Sequence, residues 1–288
     1  MSRVSLVMAV FNQLSLTRAC LESLRPTTVT FDLVVVDNGS TDGTAEFLRA
    51  FPYPFPFRAH RNGENLGLIR ALNQGWRLAG GEFVCFLHND TEMRDPRWLE
   101  RLVGGLQGDR GAGLAGLYGA RRVRRDGRYV GRTIVHCLAD GPGMREPEVE
   151  VAAVDGVCLF LRRSLLETLG GFDEGYGFFH GYDRDLSFAV RAAGGRCVVV
   201  NAPFIHRGGG TRGSVAAEGP LADDLARRRE ALARFAAKWR HRLPSDVRRP
   251  VQRIRDWLSS RPIRKGWVPA EEARSARACG ISGEGGRP

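Results

Sequence analysis

The feature that most constrains this chain is a series of unbroken apolar runs spaced between helical stretches. Val4–Val10, Phe31–Val36 and Glu82–Leu87 are rich in β-branched and aromatic residues and show no alternation of polar and apolar positions. A strand that is apolar on both faces must be covered on both, so strands of this kind joined by helices predict a parallel sheet wrapped on each side. The intervening segments carry the helical period: Leu16, Ala19, Cys20 and Leu24 before Pro26, then Thr44 to Leu48, then Leu68, Ala71, Leu72, Trp76 and Leu78 closed by Gly80-Gly81. Phe57–His60 adds a short strand. The first half therefore reads as an open α/β sheet of nucleotide-binding type, and the fold class as α/β with a mostly parallel central sheet flanked by helices.

The second half is less regular. Strands are expected at Ala112–Leu117, Val154–Leu161 and Arg196–Val200, a basic hairpin or loop at Arg121–Arg132, and a loop at Met144–Glu150. Helices are expected from a Ser164 cap to Gly170-Gly171 and from Tyr182 to Ala193. A longer one follows, with Leu221, Leu225, Leu232, Phe235 and Trp239 on one face and arginines on the other. Gly208-Gly209-Gly210 predicts a flexible loop.

Composition narrows the class of protein. With 43% hydrophobic and 26% charged residues the chain is an ordinary globular one, and no apolar run nears the roughly 20 residues of a membrane span. Met1-Ser2-Arg3 leads straight into the first strand, unlike a secretory leader, and the six cysteines form no C-x-x-C pair, so the cytoplasm is the expected compartment. The net charge of +11 attracts polyanions, and about nine of the excess charges fall between Leu221 and Lys265. That segment, continued by Val251, Ile254, Trp257 and Leu258, has two readings: an interfacial helix on the inner face of an anionic membrane, or a helix packed on the body with its arginines solvated. Its aromatics lie mostly on the apolar stripe, which argues against nucleic acid as a partner.

Ligands of open parallel sheets bind beyond the carboxyl ends of the strands. Three strand ends carry polar residues there: Asn12, Asp37-Asn38 and Asn89-Asp90. Asp37 suits a ribose hydroxyl or a base imide, or else is simply part of a turn. Asp90 suits a divalent cation such as Mg²⁺ or Mn²⁺, or else caps a helix starting near Pro96. In His180-Gly181-Tyr182-Asp183-Arg184-Asp185, Asp183 suits a general base, while capping accounts well for Asp185. His206 is a metal ligand or a structural histidine.

Taken in order, these segments resemble the family 2 inverting glycosyltransferases of GT-A fold, in particular the bacterial branch of rhamnosyltransferase-like enzymes. The resemblance runs through V-S-L-V-M-A-V-F-N (Val4–Asn12), L-V-V-V-D-N-G-S-T-D-G-T (Leu33–Thr44), R-N-G-E-N-L-G (Arg61–Gly67), A-L-N-Q-G (Ala71–Gly75) and G-E-F-V-C-F-L-H-N-D-T (Gly81–Thr91). It continues in D-G-V-C-L-F-L-R-R-S-L (Asp155–Leu165), G-G-F-D-E (Gly170–Glu174), Y-D-R-D-L (Tyr182–Leu186) and I-H-R-G-G-G-T (Ile205–Thr211). It implies a dTDP- or UDP-linked sugar donor, a glycan or polyprenyl-linked acceptor, and a role in cell-envelope polysaccharide synthesis. Val10, Asn12, Asp37, Asn38, Asn65 and Asn89 would line the nucleotide pocket, with Asp90 and His206 on the metal. Asp155, Gly156, His180 and Tyr182 would lie near the donor sugar or acceptor, and Asp183 would be the base. Residues 1–215 would form the transferase domain, 216–262 a basic amphipathic extension, and 263–288 a disordered tail.

Two positions depart from the family pattern. His88 stands where the first acid of a D-x-D motif is expected, so metal binding rests on Asp90 with His206. Tyr182 stands where Glu often precedes the base. A catalytically degenerate, transferase-like binding protein is therefore the competing expectation. A nucleotidyltransferase on a related fold is a third reading, and it predicts a glycine-rich basic triphosphate loop after the first strand, which Val10-Phe11-Asn12-Gln13 does not resemble.

Overall fold

The computed structural model describes residues 3–108, 111–138, 144–208 and 221–258. In chain order, β1 (Val4–Val10), α1 (Leu14–Leu24), β2 (Phe31–Asp37), α2 (Thr44–Ala50), β3 (Phe57–Arg61), α3 (Leu68–Leu78) and β4 (Phe83–Leu87) alternate as the apolar runs predict. Next come β5 (Thr91–Met93), α4 (Trp98–Gly108), β6 (Ala112–Gly116), β7 (Tyr118–Ala120), β8 (Arg122–Val123) and β9 (Ile134–His136). They are followed by β10 (Glu148–Val151), β11 (Ala153–Val154), β12 (Cys158–Arg162), α5 (Arg163–Leu169), α6 (Tyr182–Ala192), β13 (Arg196–Val200) and β14 (Phe204–His206). The described part of the C-terminal segment holds α7 (Leu221–Lys238), β15 (Ser245–Asp246) and α8 (Pro250–Leu258).

The central sheet has the order β10-β13-β6-β12-β4-β1-β2-β3. β1 pairs in parallel with both β2 and β4, and β2 with β3, while β12 runs antiparallel between β4 and β6. Alternate residues of each strand enter opposite cores. Leu6, Met8, Leu33, Val35, Cys85 and Leu87 face α1 and α4, whereas Val7, Val34, Val84 and Phe86 face α3, α5, α6 and α7. The chain leaves β1 through α1 on one face and returns to β4 through α3 on the other. The strand order thus reverses between β1 and β4, and the crevice at their carboxyl ends is where such sheets take ligands.

Three local expectations are corrected. Glu148–Val151 is not a loop but an edge strand, with Val149 and Val151 turned into the core between outward glutamates; four alternating residues after Pro147 are too short to reveal this. Val154–Leu161 is two strands, because Asp155 leaves the run to pair its N–H with the Tyr118 carbonyl before β12 begins at Cys158. Ser164 does not cap α5, which starts one residue earlier with no side-chain cap.

The extension belongs to the body. Phe235 is fully buried with its ring edge-on to Phe188 of α6, at 4.9 Å between centroids, and Trp239 packs beside it. Asp185 ties the helices together instead of capping one: it accepts from Trp239 Nε1 at 2.7 Å and Tyr176 Oη at 2.9 Å, and pairs with Lys238. β15 pairs with β8, fixing the chain again after α7. The tail at 263–288 and the loop expected at Gly209-Gly210 lie outside the described residues. Phe235→Ala should cost about 3–5 kcal/mol, the range for emptying a core site of that size. Urea denaturation followed by fluorescence checks this, and an unchanged midpoint would mean α7 is not part of the core.

Candidate active site

A polar rim forms where β1 and β2 end, beside the cleft and not among the residues that line it. Their register sets Val10 opposite Asp37, so the two strands stop level. Asn12 and Gln13 then adopt φ of 54° and 59°, in the left-handed region that few non-glycine residues occupy. Asn12 is held there by the Ser40 hydroxyl on its N–H and by the Thr41 N–H on its Oδ1, at 2.9 and 2.8 Å. Asp37 accepts from the Ser40 N–H at 2.9 Å and from Arg61 at 2.6 Å, so both the turn and a charge partner engage its carboxylate. Asn38 accepts from the Leu66 N–H and donates to Asn65 at 2.7 Å, and Asn65 in turn accepts from the Gly67 N–H. The structure therefore brings Asn12, Asp37, Asn38 and Asn65 into one polar rim. Val10 reaches that rim only through its backbone carbonyl, which accepts from Asn38, since its side chain lies in the core. Asn89 is buried and donates to Thr17 of α1 at 2.9 Å.

At the end of β4 the chain turns through His88, Asn89 and Asp90 into β5. β5 pairs antiparallel with β14, His206 opposite Thr91, and this ribbon closes a separation of more than a hundred residues. His206 Nε2 comes within 3.1 Å of Asp90 Oδ1, and His88 Nδ1 within 3.9 Å of the same oxygen. The candidate ligand atoms of His88, Asp90 and His206 all lie within 4.8 Å of one another. Two imidazole nitrogens and one carboxylate converging on one point are a donor set that fits a divalent cation. Asp90 is not a helix cap: Asp95 does that work at α4, accepting from the Arg97 N–H. His88 was passed over in the sequence because histidine there replaces an expected acid. Only the fold shows that its ring turns back toward Asp90.

The opposite wall comes from the turn after β11 and from the start of α6. A cleft of about 670 Å³ is lined by His88, Asn89, Asp90 and His206 on one side and by Asp155, Gly156, Tyr182, Asp183 and Arg184 on the other. Asp183 Oδ2 accepts from the Tyr129 hydroxyl at 3.3 Å, and its Oδ1 accepts from the Arg184 N–H at 2.8 Å. Burial, with Asp183 beside it, holds the Tyr129 phenol well above its ordinary pKa, so it stays a donor to that carboxylate. The Arg184 guanidinium lies over the Tyr129 ring at 4.1 Å. His180 contacts Asp224 of α7 at 2.7 Å, and Arg228 and Leu232 of the same helix complete the cleft. Tyr129 and Arg228 had no signal in the sequence as site residues, because a sequentially remote hairpin and helix place them there, whereas Arg184 lies inside the Tyr182–Leu186 motif but was given no role.

Asp155 is the strained member of this wall. Burial and the neighbouring Asp183 carboxylate raise its pKa to about 6. A carboxyl whose folded pKa exceeds its unfolded value favours the protonated fold, so its contribution to stability is complete below about pH 4 and lost as the pH rises through about 6. Asp155→Asn, which removes that ionisation, should therefore melt a few degrees above the parent at pH 7.5 in EDTA. The gap should close toward pH 4; melting curves with a pH-independent offset would contradict this origin.

Known proteins resemble the chain in sequence and in fold. The profile of Glycosyl transferase family 2 matches residues 5–170. The chain is 33% identical over 141 residues to the O-antigen biosynthesis protein RfbC of Myxococcus xanthus, covering 44% of this chain and 11% of that protein. It is 32% identical over 109 residues to the glycosyltransferase AglE of Haloferax volcanii, covering 36% of each. The chain thus spans little more than a third, at most, of these two relatives. Among solved structures it is similar to GalNAc-T7 with UDP, GalNAc and Mn²⁺ (TM-score 0.59, 17% identity, 72% of this chain and 43% of that one). It is also similar to the mannosyltransferase PcManGT from Pyrobaculum calidifontis with GDP-Man and Mn²⁺ (TM-score 0.54, 18% identity, 97% of this chain and 81% of that one). The sheet order and its flanking helices are those of the GT-A fold. On the match across residues 5–170, the chain belongs to Glycosyl transferase family 2.

Proposed function

We propose that this protein transfers a sugar from a dTDP- or UDP-linked donor to a hydroxyl of a glycan or polyprenyl-linked acceptor, with inversion, in the assembly of a cell-envelope polysaccharide. The observation that carries this reading is that Asp90 and His206 face Asp155 and Asp183 across a single cleft at the carboxyl ends of β1 and β4. The transferase chemistry is assigned to residues 1–215, with dTDP-rhamnose the donor suggested by the rhamnosyltransferase-like branch.

The rim of Asn12, Asp37, Asn38 and Asn65 receives the nucleoside, with Asp37 accepting hydrogen bonds from ribose or base. A divalent cation, Mg²⁺ or Mn²⁺, held by Asp90, His206 and His88 would neutralise charge on the departing diphosphate. Asp183 takes the proton of the acceptor hydroxyl as its oxygen bonds to the anomeric carbon. The bond from that carbon to the diphosphate breaks on the far side, and its electron pair leaves with the nucleoside diphosphate. Tyr129 and the Arg184 N–H hold the Asp183 carboxylate in place during this step. Gly156, Tyr182 and His180 shape the space for the two sugars.

Thermal shift with UDP, dTDP and GDP, each with Mn²⁺ or EDTA, tests the donor site. A nucleotide at 100 times its dissociation constant adds about 2.7 kcal/mol, or a few degrees. Asp183→Asn should keep that shift and lose about 10²–10⁴-fold in turnover of the responding nucleotide sugar. No shift with any nucleotide would return the chain to the reading of a degenerate binding protein.

The second element of the proposal is peripheral contact with an anionic inner membrane face, now confined to α8. Among the described residues no helix is long and apolar enough to cross a membrane. Ala231 and Phe235 of α7, and Trp239 after it, are buried on the body, whereas Val251, Ile254, Trp257 and Leu258 of α8 are 60–77% exposed beside Arg249, Arg253 and Arg255. An exposed apolar face with basic flanks suits the boundary between headgroups and acyl chains. The parent protein should float with vesicles containing anionic lipid, and a variant with these four residues changed to serine should not. Equal flotation of the two would sink the membrane contact.

A further inference from the structure

The two departures from the family pattern, His88 and Tyr182, are in contact. Their side chains meet at 2.8 Å, His88 Nε2 to Tyr182 Oη, although 94 residues separate them. Tyr182 is buried, its ring edge-on to Phe172 at 5.4 Å between centroids, and it follows Gly181, whose φ of 82° turns the chain into α6. The phenol also depends on Gly156: a Cβ at that position would lie 2.1 Å from Tyr182 Oη. The hydroxyl is thus packed into one place, and the ring of His88 is aimed by it.

We propose that His88 and Tyr182 form a matched pair that converts the cation site to a nitrogen-rich one, so that the protein selects Mn²⁺ and other transition-metal ions over Mg²⁺. This rests on the reading that a divalent cation sits at Asp90. With its Nδ1 lone pair turned to the cation beside Asp90 and His206, His88 carries its proton on Nε2 and donates it to the Tyr182 oxygen across the 2.8 Å contact. A hydrogen bond to the far nitrogen is the usual way a ligating imidazole is oriented, and its loss commonly costs tenfold or more in affinity. Histidine at 88 leaves Asp90 as the one carboxylate of the trio. Mg²⁺ holds oxygen ligands and water and gains little from imidazole, while Mn²⁺ and later ions accept it. Tyr182 is a positioning residue, touching the ligand and not the ion. Placed one residue before Asp183, it also links the ligand side of the cleft to the helix that carries the base.

The test is metal binding by the full chain, read without turnover. Loss of the six-line electron paramagnetic resonance signal of free Mn²⁺ measures affinity, Mg²⁺ competition measures preference, and electron spin-echo modulation counts imidazole nitrogens. The parent should show two nitrogens and require at least about a tenfold excess of Mg²⁺ for displacement. Tyr182→Phe, which keeps the ring packing, should bind Mn²⁺ about tenfold more weakly. His88→Asp should lose one nitrogen and bring the two metals toward parity. Displacement by equimolar Mg²⁺, a single nitrogen in the parent, or an unaltered Tyr182→Phe would each overturn the pair's role. Nucleotide binding titrated in the same samples separates the two proposals. Equal support by Mg²⁺ and Mn²⁺ overturns this inference and leaves sugar transfer standing. Two-nitrogen Mn²⁺ binding with no nucleotide binding upholds it and removes the transfer reading.

Discussion

Burial of the central strands on both faces is the constraint from which the rest of this structure follows. With Leu6 and Met8 in one core and Val7 in the other, β1 has no solvent-facing side on which polar chemistry could sit. The same holds for β2 and β4. Polar groups can gather only where these strands run out, and the chain places Asn12, Asp37 and His88-Asn89-Asp90 at those ends. The crevice is thus a geometric consequence of a fully covered sheet whose strand order reverses between β1 and β4.

This explains which parts were legible. The β-branched runs and the helices between them announce β1 to β4 within a residue or two, because periodicity and burial act locally. The polar strand ends were legible for the same reason. The contacts that complete the site were not, since Tyr129 meets Asp183 through a hairpin and His206 meets Asp90 through a two-stranded ribbon, pairings that no local pattern encodes. β10 was missed because an edge strand of four residues, following a proline, carries too short an alternation. Asp185 was assigned to capping from its position in the first turn, yet its oxygens serve Tyr176, Trp239 and Lys238.

The departures from the family pattern illustrate a related limit. Read singly, His88 and Tyr182 are two losses of acidic residues and weaken an expectation of activity. In space they are one hydrogen bond, packed against a glycine that leaves room for it. The two departures are therefore compatible with one another in shape and in hydrogen bonding. Sequence order conceals such pairs because their partners lie on different elements, β4's exit and the first turn of α6.

One consequence follows from where the cleft's walls originate. The stretch that matches the family ends at residue 170, yet Tyr182, Asp183, His206, Arg228 and Leu232 all line the cleft from beyond it. Helix α7 enters that wall while being bolted to α6 through Asp185, so Tyr182 and Asp183 of α6 and Arg228 and Leu232 of α7 belong to one packed unit. The polar rim at the ends of β1 and β2 and the wall at α6 and α7 are therefore built by different parts of the chain. Replacing the chain beyond β12 would rebuild the wall at α6 and α7 while leaving Asn12, Asp37, Asn38 and Asn65 where the ends of β1 and β2 hold them.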